Sequence, residues 1–211
     1  MSPKPKFDAV LDEVLAAPAA ARTRQAQAAL RERLSAVQRP AVWYDRLPET
    51  PVGALWVAVS EAGLVAVHYG AEPRTWAAEF QRRGFGALER SAEKTAALRR
   101  QISDYLAGRR AAFDAAVDWR GVTAFQRRVL EAAAAIPRGQ VLTYHAVAQH
   151  LGQPQAARAV GQALRRNPAP IVLPCHRVVA ANGDLRGYLG KHGVQTKAWL
   201  LNLEGVQRSA A

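Results

Sequence analysis

Two strand-like segments separated by a short glycine-containing turn constrain the fold of this chain more than any other feature. The segments Gly53-Ala-Leu-Trp-Val-Ala-Val-Ser60 and Leu64-Val-Ala-Val-His-Tyr69 are rich in valine and aromatic residues, and Glu61-Ala-Gly63 lies between them. This arrangement is typical of a β-hairpin. Further patterns in the first half predict one more strand and two helices, at residues 41–45, 71–83 and 92–107. The first half therefore predicts a small α/β domain.

The second half of the chain predicts mostly helices. Thr123-Ala-Phe-Gln126 has the form of a capping box, which opens a helix that runs through Ala135. Two short helices follow at residues 144–151 and 155–166, and Thr143 is the predicted cap of the first. Gly152-Gln-Pro154 forms the turn between them. Two short helices joined by a glycine-containing turn are the pattern of a helix-turn-helix. We therefore expect a mostly α C-terminal domain that contains a helix-turn-helix.

The N-terminal 40 residues differ in composition from the rest, because they are rich in Ala, Leu, Arg and Gln. They predict a helical extension, which Pro18 divides into two short helices. This segment has two possible roles. It could pack on the first domain, or it could form an arm that contacts another protein. Acidic residues interrupt its apolar stretches, so we expect neither a secretory signal nor a membrane span. The predicted organisation is an extension, an α/β domain and a C-terminal domain, at residues 1–40, 41–118 and 119–211.

The positive charge is concentrated in the C-terminal part. Residues 119–211 hold 12 Lys+Arg against 3 Asp+Glu, a net charge of +9 out of +12 for the whole chain. Such a surface favours a polyanion as partner, most simply nucleic acid. A basic surface that only keeps the protein in solution is the alternative.

The single cysteine, Cys175, lies in the sequence Pro170-Ile-Val-Leu-Pro-Cys-His-Arg-Val-Val179. One cysteine forms no disulfide within the chain, which favours a reducing, intracellular setting. A thiol is mostly protonated at neutral pH, so a nucleophilic role needs a base or a cation, for which His176 and Arg177 are candidates. On a strand, adjacent side chains face opposite ways, so His176 would act through a water. An inert core thiol and a thiol protease are the alternatives from these residues alone.

Two longer motifs and several short ones occur in an order that points to one family. The longer motifs are Ala156-Ala-Arg-Ala-Val-Gly161 and Pro174-Cys-His-Arg-Val178. The short ones are Phe125-Gln-Arg-Arg-Val129, Ile136-Pro-Arg-Gly139, Thr143-Tyr144, Asn167-Pro168, Gly187-Tyr188, Lys197-Ala-Trp-Leu-Leu201 and Glu204-Gly205. Together they resemble the catalytic domain of the O6-alkylguanine-DNA alkyltransferases, also called methylated-DNA–protein-cysteine methyltransferases. The first half resembles that family more weakly, through Trp43-Tyr-Asp45, Pro51-Val-Gly53 and Gly63.

The resemblance implies a ribonuclease H-like α/β domain followed by a catalytic DNA-binding domain. The implied activity is DNA repair, in which the alkyl group of a flipped O6-alkylguanine moves irreversibly to Cys175 in a single turnover. O4-alkylthymine is a further candidate substrate. Four other residues carry implied catalytic roles: His176 as base through a water, Glu204 as its partner, Asn167 as brace of the turn, and Tyr144 as donor to guanine N3.

The resemblance also implies how the base and the duplex are held. The carbonyls of Cys175 and Val178 accept from the guanine amine, the Leu189 N–H reaches O6, and Tyr188 and Leu164 form the pocket walls. Arg158 replaces the flipped base in the stack, while small side chains let the helix enter the minor groove. These small residues are Ala156, Ala157, Ala159 and Gly161. The segment between Tyr188 and Lys197 is longer than the family pattern and, by the resemblance, borders the alkyl pocket. The size of alkyl group that the pocket accepts is therefore left open.

The implied partner is double-stranded DNA, bound by a monomer without cofactor or metal. A cytoplasmic, nucleoid-associated location and no contact with a membrane are expected. Two alternatives remain. One is an alkyltransferase-like protein that binds lesions without transfer, which the intact Pro174-Cys-His-Arg177 disfavours. The other is a helix-turn-helix regulator with an incidental thiol.

Overall fold

A computed structural model of the 211-residue chain describes residues 39–70, 75–185, 188 and 193–206. The predicted N-terminal extension lies outside the described residues, except for its last two. Leu189 and the first part of the helix predicted at residues 71–83 also lie outside them. Residues from Pro40 onward belong to one compact unit.

The first half contains a four-stranded sheet. Its strands are β1 (Val42–Leu47), β2 (Leu55–Ser60), β3 (Gly63–Tyr69) and β4 (Leu88–Arg90), in the order β3-β2-β1-β4. Strand β2 is antiparallel to β1 and β3, whereas β4 is parallel to β1. The predicted hairpin is therefore confirmed. The three-residue edge strand β4 was not predicted, because Leu-Glu-Arg carries no strand signature.

Gly63 is needed in the hairpin turn because another segment passes close to it. Its φ is +131°, and a Cβ placed there would lie 2.2 Å from the carbonyl oxygen of Ala116. Residues 116–118, which lead into the C-terminal domain, pair with the start of β3 next to this turn. Leu64 donates its N–H to Ala116 and accepts from the Asp118 N–H, both at 2.8 Å. The sheet is thus tied to the chain that leads into the C-terminal domain.

Two helices accompany the sheet, α1 (Ala77–Arg82) and α2 (Ala92–Leu106). Ser91 caps α2 by accepting the Lys94 N–H at 3.2 Å. The C-terminal domain adds α3 (Ala124–Ala134), α4 (Tyr144–His150), α5 (Ala157–Arg165) and α6 (Gly193–Leu203), with a parallel pair of two-residue strands, β5 (Leu142–Thr143) and β6 (Val178–Val179).

The predicted caps of the C-terminal helices are confirmed. The Thr123 hydroxyl accepts the Gln126 N–H at 3.2 Å at the start of α3. The Thr143 hydroxyl accepts the Ala146 N–H at 3.0 Å at the start of α4. The helix predicted at residues 155–166 instead begins with a 3₁₀ turn, Pro154–Ala156, before α5. Helices α4 and α5 form the helix-turn-helix.

The largest hydrophobic core joins the two halves of the described chain. It combines the inner face of the hairpin and α2 with the buried faces of α3, α4 and α5, and it includes Cys175. The first half contributes Leu55 and Ile102 to this core, and the C-terminal helices contribute Leu130, Val160 and Leu164. The fold class expected from the sequence, a small sheet with helices plus a mostly α domain, is confirmed.

Within the part of the chain that the structure describes, no helix is long and apolar enough to cross a membrane.

Candidate active site

The cysteine lies in a 3₁₀ turn that follows a strained loop. Cys175–Arg177 form the 3₁₀ turn, so the assumption of a strand at the cysteine is wrong. Upstream, Ile171 has a φ of +76°, a conformation that β-branched residues rarely adopt. Asn167 holds this loop, since its Nδ2 donates to the Leu173 carbonyl at 2.7 Å and its Oδ1 accepts from the Ala169 N–H at 2.9 Å. A strained backbone held by a buried amide is typical of a functional site.

The thiol is buried, with only 6% of Cys175 exposed. Burial raises the pKa of Cys175, while a hydrogen bond from Asn167 and the positive charge of Lys197 act in the opposite direction. The thiol therefore keeps its proton at neutral pH unless a base removes it.

His176 is a candidate for that base. Its ring is fully buried, and Nε2 lies 3.0 Å from Glu204 Oε1. Burial lowers the pKa of His176 more than the bond to Glu204 raises it, so the ring is neutral at neutral pH. Because the carboxylate can only accept, we assign the proton to Nε2. The other nitrogen, Nδ1, is buried and has no hydrogen-bond partner among the described residues, so its lone pair is free to take a proton.

Arg177 makes a bidentate ion pair with the same carboxylate. Its Nε lies 2.9 Å from Glu204 Oε2, its Nη2 lies 2.8 Å from Oε1, and its Nη1 donates to the Ile136 carbonyl at 2.6 Å. Burial raises the pKa of Glu204, but the hydrogen bonds from His176 and Arg177 outweigh burial and hold that pKa well below its usual range. The positive charge of Arg177 is therefore paired with the carboxylate of Glu204 and does not activate the thiol.

Tyr105 joins this network from α2. It is fully buried, its hydroxyl donates to Glu204 Oε1, and the same hydroxyl lies 3.5 Å from His176 Nε2. Tyr105 was not among the predicted site residues, which all lie in the second half of the chain. The available signal was a hydroxyl within the apolar stripe of a helix, since a buried tyrosine hydroxyl usually needs a partner.

Lys197 is a buried cation beside the thiol. It is 1% exposed, and its Nζ donates to the Val178 carbonyl at 2.6 Å and lies 6.0 Å from the centre of the Tyr144 ring. Burial lowers the pKa of Lys197 to about 8, and the charge of Cys175 acts to raise it. A mostly protonated ammonium near a thiol would stabilise the thiolate form of that thiol. Its position within a matched motif was its only signal in the sequence.

Two tyrosines, Tyr69 and Tyr188, lie near the His176 ring. The Tyr69 and Tyr188 hydroxyls lie 3.0 Å apart, and the Tyr188 ring centre is 6.5 Å from that of His176. Leu164 is buried in the core that contains Cys175. The Val178 carbonyl already accepts from Lys197, which leaves one lone pair for another donor. Leu189 lies outside the described residues.

Two family models match this chain, one on each half. The model described as 6-O-methylguanine DNA methyltransferase, ribonuclease-like domain, matches residues 43–119, and the one described as the DNA binding domain of the same enzyme matches residues 124–206. A Salmonella typhimurium protein named methylated-DNA–protein-cysteine methyltransferase is 43% identical over an aligned length of 172 residues, gaps included. The match covers 74% of this chain and 92% of the relative. The chain belongs to the methylated-DNA–protein-cysteine methyltransferase family.

Solved structures of methyltransferases have the same fold. Mycobacterium tuberculosis O6-methylguanine methyltransferase is 34% identical and superposes with a TM-score of 0.65, over 81% of this chain and 96% of that one. The structure of Mycobacterium tuberculosis OGT in complex with DNA is 33% identical, with a TM-score of 0.65, over 78% of this chain and 92% of that one. The resemblance inferred from the sequence is thereby confirmed.

In this member of the methyltransferase family, α5 presents small and basic residues outward. Arg158 and Ala159 are exposed, and Ala156 and Ala157 are half-buried. A Cβ on Gly161 would lie 3.8 Å from the Tyr144 ring, so α5 and the first residue of α4 are in close contact there. The first turn of α5 is thus accessible at Arg158 and Ala159, and Gly161 packs next to Tyr144.

Proposed function

We propose that this chain repairs DNA by moving the alkyl group of an O6-alkylguanine to Cys175 Sγ. The observation that carries the proposal is the buried Cys175 next to a neutral His176, whose Nε2 is held by Glu204 and whose Nδ1 has no partner among the described residues. The names of the relatives support the same reaction. The S–C bond forms as the bond from the alkyl carbon to guanine O6 breaks.

The thiol proton leaves through a water to His176 Nδ1. Glu204 keeps the ring in the required tautomer and stabilises the imidazolium that forms, which is the logic of a hydrolase triad without an acyl intermediate. Three donors, Arg177, Tyr105 and His176, already satisfy Glu204, so Glu204 does not take the Nε2 proton itself. Lys197 supplies the positive charge that the thiolate needs in an apolar site.

The leaving guanine needs a proton to depart as a neutral base. Burial raises the pKa of Tyr144 above its ordinary value, so its hydroxyl is protonated and can donate to guanine N3. Overall the thiol hydrogen is exchanged for the alkyl group, and the guanine recovers a hydrogen. Asn167 has a positioning role, because it holds the loop that delivers Cys175.

Access to the lesion requires the base to leave the duplex. We assign α5 and the 3₁₀ turn before it to the minor groove, where small residues allow close approach. These residues are Ala156, Ala157, Ala159 and Gly161. Arg158 then fills the gap in the stack and offsets part of the unstacking cost, which is a few kcal/mol. The carbonyls of Cys175 and Val178 accept from the guanine amine, and Tyr188 and Leu164 form pocket walls. The Leu189 N–H is proposed as the donor to O6.

The product limits each molecule to one reaction. Water does not cleave a thioether under mild conditions, and Cys175 is the only cysteine of the chain. The protein therefore acts once. We assign the reaction to a monomer that needs no cofactor, since the thiolate itself is the nucleophile and guanine is the leaving group. O4-alkylthymine is a second substrate on the same chemical grounds, since an alkyl group on an aromatic oxygen is displaced in both cases.

Loss of the lesion from DNA tests the proposal. A duplex with one O6-methylguanine is incubated with the protein, digested to nucleosides and separated by chromatography. We expect the modified nucleoside to disappear one for one with protein, and to persist with Cys175→Ser. A protein that binds the lesion but leaves it intact is a lesion-binding protein, and that result overturns the proposal.

A further inference from the structure

A cleft with four arginines lies between the sheet and the C-terminal helices. It has a volume of about 620 Å³. Its basic residues are Arg82 and Arg83, at the end of α1, and Arg165 and Arg166, at the end of α5. We call it the arginine cleft. The active-site mechanism proposed above uses none of these four side chains.

Most of the positive charge in the arginine cleft is uncompensated. Arg82, Arg165 and Arg166 are exposed, and within the described part of the chain their guanidinium groups make no hydrogen bond or ion pair. The one acidic residue of the lining, Glu79, lies 3.8 Å from Arg83. Three free guanidinium groups around one cavity attract an anion with several separated negative charges.

Arg83 has a structural role instead. Its guanidinium donates to the carbonyls of Val65 and Arg120, at 3.2 and 3.1 Å. Gly121 packs directly on it, since a Cβ at Gly121 (φ +72°) would lie 2.6 Å from the Arg83 Cβ. Arg83 thus fixes the segment between the domains, and the cleft is held in shape before any ligand binds.

Helix dipoles do not fully account for this arrangement. Arg82 and Arg165 each lie in the last turn of a helix, where a cation is stabilising. That effect operates within one helix end. It gives no reason for the ends of α1 and α5, which belong to different domains, to line the same cavity, nor for the additional Arg166.

We propose that the arginine cleft binds the phosphate backbone of the duplex that α5 engages, so that the sheet domain takes part in DNA binding through Arg82. Arg165 lies seven positions after Arg158, which is about 10 Å along a helix. Duplex DNA carries a charge every 1.7 Å or so along its axis, so phosphates of the same duplex lie within that distance. This inference rests on the proposed function.

The cleft also adjoins the active site. Asn167 and Tyr69 line it, and the same two residues hold the Leu173 carbonyl and the Tyr188 hydroxyl. Phosphates bound there would anchor the strand at the C-terminal end of α5, whereas Arg158 lies in the first turn of that helix. The contact is independent of sequence and adds affinity for lesion-containing and normal DNA alike.

The salt dependence of DNA binding tests the inference. The full-length protein is titrated into a fluorescent unmodified duplex at several KCl concentrations, and affinity is followed by anisotropy. The slope of log K against log[salt] is negative, and each lost phosphate contact is expected to make it shallower by about 0.9. We expect that loss for Arg82→Ala, about three times that for Arg82→Ala/Arg165→Ala/Arg166→Ala, and no loss for Arg82→Lys. Arg100→Ala, an exposed arginine of α2 outside the cleft, is the matched control with an unchanged slope.

A wild-type slope in Arg82→Ala overturns the inference, and so does a weaker affinity with an unchanged slope, because neither result shows a lost phosphate contact. Methyl transfer to Cys175 by the wild-type protein is measured in parallel. If transfer occurs and the Arg82→Ala slope is unchanged, only the cleft inference fails. If the wild-type protein neither transfers nor binds DNA, the proposed function fails as well.

Discussion

The Tyr105 hydroxyl, from a helix of the sheet domain, donates to the carboxylate of Glu204, which belongs to the C-terminal domain. The same carboxylate holds His176 Nε2 at 3.0 Å and the Arg177 guanidinium. The charge state of the proposed base therefore depends on both domains. A carboxylate with this many donors is a weak proton acceptor, which keeps the Nε2 proton on the imidazole.

Replacing Tyr105 by Phe removes one donor from Glu204. The carboxylate then attracts the His176 proton more strongly, so the pKa of His176 rises. Because transfer requires neutral His176, we expect the rate to fall at a higher pH than in the wild-type protein as the solution is acidified. Loss of a buried bond to a charged group is also expected to cost about 1.5 to 3 kcal/mol of unfolding free energy.

Single-turnover rates across pH, together with urea unfolding, measure both effects. Tyr44→Phe, in the aromatic cluster against Trp56, is the matched control and leaves the pH midpoint unchanged. A destabilised Tyr105→Phe protein with the wild-type midpoint would show that Tyr105 is structural only.

Glu204→Gln leaves the Arg177 guanidinium buried without a counter-charge. Removal of one partner from a buried pair costs about 3 to 5 kcal/mol, and we expect transfer to slow because the imidazolium is no longer stabilised. Denaturant unfolding and transfer kinetics check this. Glu131→Gln removes an exposed carboxylate 2.7 Å from Arg127 and is expected to cost no more than about 1 kcal/mol. Equal losses in the two variants contradict the account.

Lys197 gives opposite pH effects on rate and stability. Its folded-state pKa of about 8 lies below the ordinary 10.5, so the unfolded chain binds more protons between these values. The contribution of Lys197 to unfolding free energy therefore rises with pH in that range. The transfer rate should fall over the same range, because the thiolate loses its cation.

Lys197→Met should abolish both trends and slow transfer at pH 7, while Lys197→Arg keeps the charge and more of the rate. Single-turnover rates and urea unfolding between pH 7 and 10 provide the measurement. A Lys197→Met protein as fast as Lys197→Arg would show that the positive charge does not serve the thiolate.

Arg158→Ala separates access to the base from chemistry. Arg158 is exposed on α5, whereas Cys175 and His176 are buried. We expect slower repair of O6-methylguanine in a duplex and an unchanged rate with the free base O6-methylguanine, which needs no flipping. Arg100→Ala is the control for general loss of charge. An equal loss on both substrates would place Arg158 in the chemistry instead of in base flipping.

Local patterns allowed much of the fold to be predicted, and long-range contacts account for what was missed. The hairpin around Gly63 and the caps at Thr123 and Thr143 depend on residues within a few positions, so they could be read directly from the sequence. Tyr105 and Glu204 are 99 positions apart. No local pattern connects them, and a tyrosine in an apolar helical stripe looks like an ordinary core residue.

The site was predicted through its motif, with its geometry left open. Its motif led to the prediction of Cys175 and His176 as site residues, but not of the 3₁₀ turn that carries them, because an apolar run before the cysteine is equally typical of a strand. The pairing of Arg177 with Glu204 and the burial of Lys197 depend on where α6 packs. Packing of that kind has no signature in the order of the residues.

Mass spectrometry of the protein after reaction tests the central claim most directly. The protein is mixed with an excess of duplex that carries one O6-methylguanine, and intact mass and proteolytic peptides are measured beside Cys175→Ser. We predict a gain of one methyl group per chain, located on the peptide that contains Cys175 and absent from the variant, with no further gain on longer incubation. An unchanged mass, or a methyl group on any other residue, would contradict the account.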